Sequence, residues 1–147
     1  MNTLRDELND VISSANIEGL EFLRMNDWQW IMHKLADSFL SHGRQSLDRI
    51  WLWDSIKEPY TSYQPENGIE ELKFLLSESD SYWFIASDED GKYWVLEGSG
   101  KAIVSALFET RYFEYYITDK ELSWLICENH HGVMVLKGPI KSKRENA

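Results

Sequence analysis

The sequence predicts an α+β fold: N-terminal helices, then an antiparallel sheet of about five strands with two further helices, all helices forming a single layer on the sheet. Three observations carry this expectation. Apolar residues in the N-terminal third recur with the helical period, and those after Ser81 fall in short aromatic and β-branched runs. Those later runs are joined by turn residues, which favours antiparallel pairing over crossover connections.

Leu4, Leu8, Val11 and Ile12 share one helical face, with Asn2 or Thr3 as N-cap. Leu20, Phe22 and Leu23 extend a second short helical segment after Asn16. A third helix is expected from Asp27 to about Ser41, capped by Asn26 or Asp27 and stopped by Gly43. Trp28, Ile31, Leu35 and Phe39 form its stripe. The bulky run Ile50-Trp51-Leu52-Trp53 reads as a strand, with a helical turn as the alternative. Residues 58–68 hold Pro59, Pro65 and Gly68 and read as a loop. Asn67 and Glu70 have capping-box spacing and start a helix that buries Ile69, Leu72, Leu75 and Leu76 and ends near Glu78. Ser81–Ser87 and Lys92–Glu97 flank Asp88-Glu89-Asp90-Gly91, a hairpin. Ser99 caps a helix over Gly100–Glu109. Strands are then expected over Tyr112–Thr118, Ser123–Glu128 and Val133–Leu136. Residues 1–140 read as one domain and 141–147 as a basic, flexible tail.

Fifteen basic and twenty-five acidic residues give a net charge of −10. Between Glu58 and Glu121 stand 14 acidic and 5 basic residues, so −9 of that charge lies in the middle of the chain. Such a body repels nucleic acid, and no basic stripe with interleaved aromatics is present. It favours a basic protein partner. No apolar run reaches the roughly 18–20 residues that span a bilayer, so no membrane association is expected. A single cysteine cannot form an internal disulfide, and a reducing cytoplasm is the expected location. The oligomeric state is not legible from composition.

Two nucleotide motifs fail. Gly98-Ser99-Gly100-Lys101 resembles part of a phosphate loop, but Val95 stands where the first glycine is needed and Ala102 where the hydroxyl is needed. The dinucleotide pattern meets Ile103 in place of its last glycine. No cofactor and no metal is expected, since adjacent His130 and His131 converge poorly and no second ligand pair exists at suitable spacing. The chain does hold one dense polar cluster, Cys127-Glu128-Asn129-His130-His131. Its plain reading is a turn in which Asn129 and Gly132 take unusual backbone angles while Glu128 and the histidines bond to main chain. Its chemical reading makes Cys127, Glu128, His130 and His131 the catalytic set of a small hydrolase or metal-dependent enzyme.

Aromatic residues make up 14% of the chain. Trp28 and Trp30 cannot share one helical face, and strand alternation divides Tyr112, Glu114 and Tyr116 from Phe113, Tyr115 and Ile117. Some aromatics must therefore line a groove or stand exposed. With the acidic surplus, this predicts a non-catalytic binding surface at Asp88, Glu89, Asp90, Glu97, Tyr112, Glu114 and Tyr116.

Phe113-Glu114-Tyr115-Tyr116-Ile117-Thr118-Asp119-Lys120, followed by Trp124-Leu125-Ile126-Cys127-Glu128-Asn129-His130-His131-Gly132, resembles the C-terminal pattern of a small bacterial family of unknown function. The resemblance covers about the last two-thirds of the chain and implies no activity. More loosely, size, acidity and α+β layout resemble cytoplasmic immunity proteins that block toxins; this implies an inhibitor directed at a basic partner.

Overall fold

The computed structural model describes residues 3–48, 52–88, 92–110 and 112–140. Helix α1 (Leu4–Ser14) begins at Thr3, whose hydroxyl accepts from the Asp6 amide while the Asp6 carboxylate accepts from the Thr3 amide. After it come strand β1 (Leu20–Phe22), helix α2 (Met25–Phe39) and 3-10 turns over Gly43–Asp48 and Leu52–Ser55. Strand β2 (Thr61–Tyr63), helix α3 (Gly68–Leu75), the β3–β4 hairpin (Ser81–Ser87 and Tyr93–Ser99) and helix α4 (Gly100–Glu109) lead to β5 (Glu114–Asp119), β6 (Leu125–Glu128) and β7 (Met134–Lys137). The class is α+β.

All strands among the described residues belong to one antiparallel sheet in the order β1-β4-β3-β5-β6-β7-β2. It therefore has seven strands, not five. The two extra ones are three-residue edge strands, too short to show a period of two. Leu20-Glu21-Phe22, expected in a helical segment, is β1: Asn16 and Gly19 both take positive φ, which ends helical winding, and the segment pairs with β4. Thr61–Tyr63, expected within a loop, pairs with β7.

Helices cover both faces of the sheet, which corrects the expected single layer. Tyr82, Phe84 and Ala86 of β3 face a core built with α1 (Leu4, Leu8), α3 (Leu72, Leu75) and α4 (Ile103, Ala106, Leu107). Ile85 faces a second core built with α2 (Ile31, Met32, Leu35, Ala36, Phe39) and Leu52. Strands β5 and β6 are buried on both sides, so their sequences carry no polar alternation to announce a second layer.

Of the expected strand Ile50–Trp53, Ile50 and Trp51 lie outside the described residues, while Leu52 and Trp53 start a 3-10 turn. That turn drops Leu52 into the second core and lets the Trp53 amide donate to the Tyr116 hydroxyl at 3.1 Å, so its donor joins no strand ladder. Helix α2 starts two residues early, after Arg24, without a side-chain cap, and ends at Phe39 before Gly43. Helix α3 is capped as expected by Asn67, which accepts from the Glu70 amide at 3.1 Å, and ends at Leu75 because extended Leu76 turns into the core. The limits of α4 and its Ser99 cap match expectation. Among the described residues no helix is long and apolar enough to cross a membrane.

Candidate functional site

The polar cluster at the end of β6 divides between the two sheet faces. Cys127 stands in register with Tyr116 and Val135 and points into the α2 core. Glu128 stands in register with Tyr115 and Met134 and points to the opposite side, against Gly68 at the start of α3. Strand alternation thus separates two members of the candidate catalytic set. The Cys127 thiol is fully buried, and burial, reinforced by the carboxylates of Glu114 and Glu128, holds its pKa well above the ordinary value. A thiol kept protonated is a poor nucleophile and a poor metal ligand.

Asn129 organises the turn that follows. Its side-chain oxygen accepts from the amides of His131 (2.9 Å) and Val133 (3.1 Å), and its own amide donates to the Val133 carbonyl. The Tyr112 hydroxyl donates to the Asn129 carbonyl from outside. Gly132 supplies the positive φ, +76°; Asn129 has no positive φ and works through its side chain instead. Glu128 bonds the Tyr115 hydroxyl at 2.8 Å, a side-chain partner where main chain was expected.

His130 and His131 lie on the exposed side of this turn with ring centroids 3.9 Å apart, each about 6 Å from the Trp53 ring. The His130 amide and Nδ1 both lie 3.3 Å from a Glu114 carboxylate oxygen, whose other oxygen accepts from the Tyr116 hydroxyl at 2.7 Å. Glu114 is 6% exposed and Tyr116 is 0% exposed. Both were expected on a binding surface, and both are instead members of a buried network joining β5, the Asn129 turn and the Trp53 turn. Burial of one face of β5 by α2 and the 3-10 turns accounts for the difference. A Glu–His pair is capable of proton transfer in principle. Among the described residues, however, no group of three His, Cys, Asp or Glu is placed to hold a metal ion.

The surface candidates are scattered. Asp88 is half-buried and accepts from the Leu4 amide at 3.3 Å, which ties the hairpin to α1. Glu89 and Asp90 lie outside the described residues. Tyr112 is 52% exposed at the Asn129 turn, far along the sheet from Glu97. Glu97 has different company. It lines a recess of about 310 Å³ with Leu23, Asp27, Trp30, Ile31 and Trp83. Cross-strand register places Glu21, Glu97, Trp83 and Thr118 in one row on this face. Trp30 is 56% exposed above it. The Lys120 ammonium sits 3.6 Å from the Trp83 ring centre and 2.9 Å from a Glu97 oxygen. Asp27, Trp30, Trp83 and Glu21 were not among the binding residues expected from sequence, although the misfit of Trp28 and Trp30 on one helical face was the available signal.

The glycine-rich turn before α4 offers no anion cradle. Gly100 and Lys101 donate their amides to the carbonyls of Asp80 and Glu78, and Ala102 donates to the Ser99 hydroxyl.

A family model described as a family of unknown function, DUF6756, matches residues 1–147. The chain belongs to this family. Among curated proteins none matches it. Membership of DUF6756 supplies no activity, so geometry has to carry the functional reading.

One of the site's carboxyls gives a pH prediction. Burial raises the folded-state pKa of Glu128 above the usual carboxylate value, and the Tyr115 hydrogen bond offsets only part of that rise. Stability contributed by the protonated form is complete below the unfolded value of about 4.5 and is lost as pH rises through the raised folded value. Glu128→Gln keeps an acceptor for Tyr115 and removes the charge. Urea unfolding at pH 4 and pH 7 is expected to show the variant gaining stability relative to the parent as pH rises. A difference that does not change with pH would contradict this.

Proposed function

We propose that this chain is a non-catalytic protein-binding module that receives a basic partner on the acidic and aromatic face formed by the start of α2 and the β1–β4 edge. The observation that carries this reading is the recess where exposed Trp30 and half-buried Trp83 meet Asp27 and Glu97, with Glu21 directly across the strand pair from Glu97. Exposed tryptophan is the residue type most enriched in binding hot spots, and the carboxylates beside it supply charge complementary to a cationic partner. The net charge of −10 adds long-range attraction for a cationic protein. In its narrower form the proposal is an immunity or inhibitor protein acting in a reducing cytoplasm, in keeping with the unpaired, buried Cys127.

The rival reading, a hydrolase or metal-dependent enzyme on Cys127, Glu128, His130 and His131, has weaker support. Its thiol is buried, and its carboxylate lies across the sheet. The test is capture from the native cell with the parent chain and with a Glu21→Lys, Asp27→Lys, Glu97→Lys variant, both checked by thermal melting. The proposal expects a basic protein retained by the parent and lost by the variant at unchanged melting temperature. Equal retention by both, or an acidic captured protein, would overturn it.

A further inference from the structure

Glu21 on β1 stands directly across from Glu97 on β4, and Glu97 across from Trp83 on β3. Like charges in cross-strand register repel, so this pair is unfavourable unless a cation joins it. Lys120, presented by the turn after β5, supplies one. Its ammonium rests on the Trp83 ring and pairs with Glu97, and no cation among the described residues pairs with Glu21. Asp27 adds a further carboxylate from the first turn of α2. The Trp30 ring carries Lys34, one helical turn on, at 5.7 Å, but still presents more than half its surface to solvent. The chain's own lysines thus already use both tryptophans as cation platforms.

Resting on the protein-binding reading above, we infer that this recess is a subsite for one arginine side chain of the partner, and that Lys120 is its internal occupant in the free protein. A guanidinium is planar and weakly hydrated. It stacks on an aromatic face while its edge donates to carboxylates on either side, which a compact ammonium cannot do at once. Lys120 is only 31% exposed at its side chain, but it lies on a turn and can swing into water when a guanidinium takes Glu97. No covalent step is involved. Lys120 is then a competitor, and its removal strengthens binding.

The test uses the full chain and a short glycine peptide carrying one arginine, acetylated and amidated, with its neutral citrulline counterpart as control. Indole N–H resonances of Trp30 and Trp83, assigned from Trp30→Phe and Trp83→Phe, report occupancy. Expected are saturable shifts of both resonances with the arginine peptide only. Lys120→Met should tighten binding about 3-fold or more, the scale of one cation–aromatic contact, and Glu97→Gln should weaken it. If the arginine peptide binds but shifts other residues, or binds equally to Lys120→Met, the subsite assignment fails while an acidic docking face stands. If neither this peptide nor a lysine-rich peptide binds anywhere, the protein-binding reading fails with it.

Discussion

Tyr116→Ala is expected to cost about 3–5 kcal/mol of unfolding free energy, the range for deleting a fully buried aromatic ring. The ring is 0% exposed between Cys127, Ile85 and the α2 layer. Its hydroxyl donates to buried Glu114 at 2.7 Å and accepts from the Trp53 amide at 3.1 Å. Burial holds the hydroxyl pKa well above its ordinary value, so it remains a donor across the working pH range. Tyr116→Phe separates the two contributions. It keeps the ring but removes the partner of one Glu114 oxygen and of the Trp53 amide, at a cost of about 1–3 kcal/mol. Because a small domain holds only about 5–15 kcal/mol in total, the alanine variant loses a large share of its stability, and the phenylalanine variant is the firmer test. Urea midpoints measure both. A phenylalanine variant as stable as the parent would mean that the network joining β5, the Trp53 turn and the Asn129 turn contributes nothing.

This residue also shows what the sequence could not convey. Alternation correctly put Glu114 and Tyr116 on one face of their strand and Phe113, Tyr115 and Ile117 on the other. Which face meets solvent depends on whether a second layer exists, and here both faces are covered. The covering element, α2, was legible from its own stripe of Ile31, Leu35 and Phe39, but a helical stripe names no partner. Local chemistry was read more reliably: the Thr3, Asn67 and Ser99 caps and the presence of the β3–β4 hairpin follow from neighbouring residues, although β4 starts at Tyr93 rather than Lys92 and runs on to Ser99. The Asn129 turn was anticipated as a turn, whereas the bond from His130 back to Glu114 spans sixteen residues and needed the sheet register. The recess at Trp30 and Trp83 joins Leu23 after β1 with residues from α2, β3 and β4, and no linear pattern encodes that convergence.

The central claim is that charge brings a basic partner to the face bearing Glu21, Asp27 and Glu97. The most direct measurement is the association rate of the captured partner, by stopped flow, at low and at physiological ionic strength. The screening length falls from about 30 Å to about 8 Å between roughly 0.01 M and 0.15 M salt. The rate for the parent is expected to fall about tenfold or more over that change, as electrostatically steered pairs do. Reversing the three carboxylates to lysine is expected to slow association at low salt and flatten the dependence. A rate unaffected by salt and by charge reversal would contradict the account.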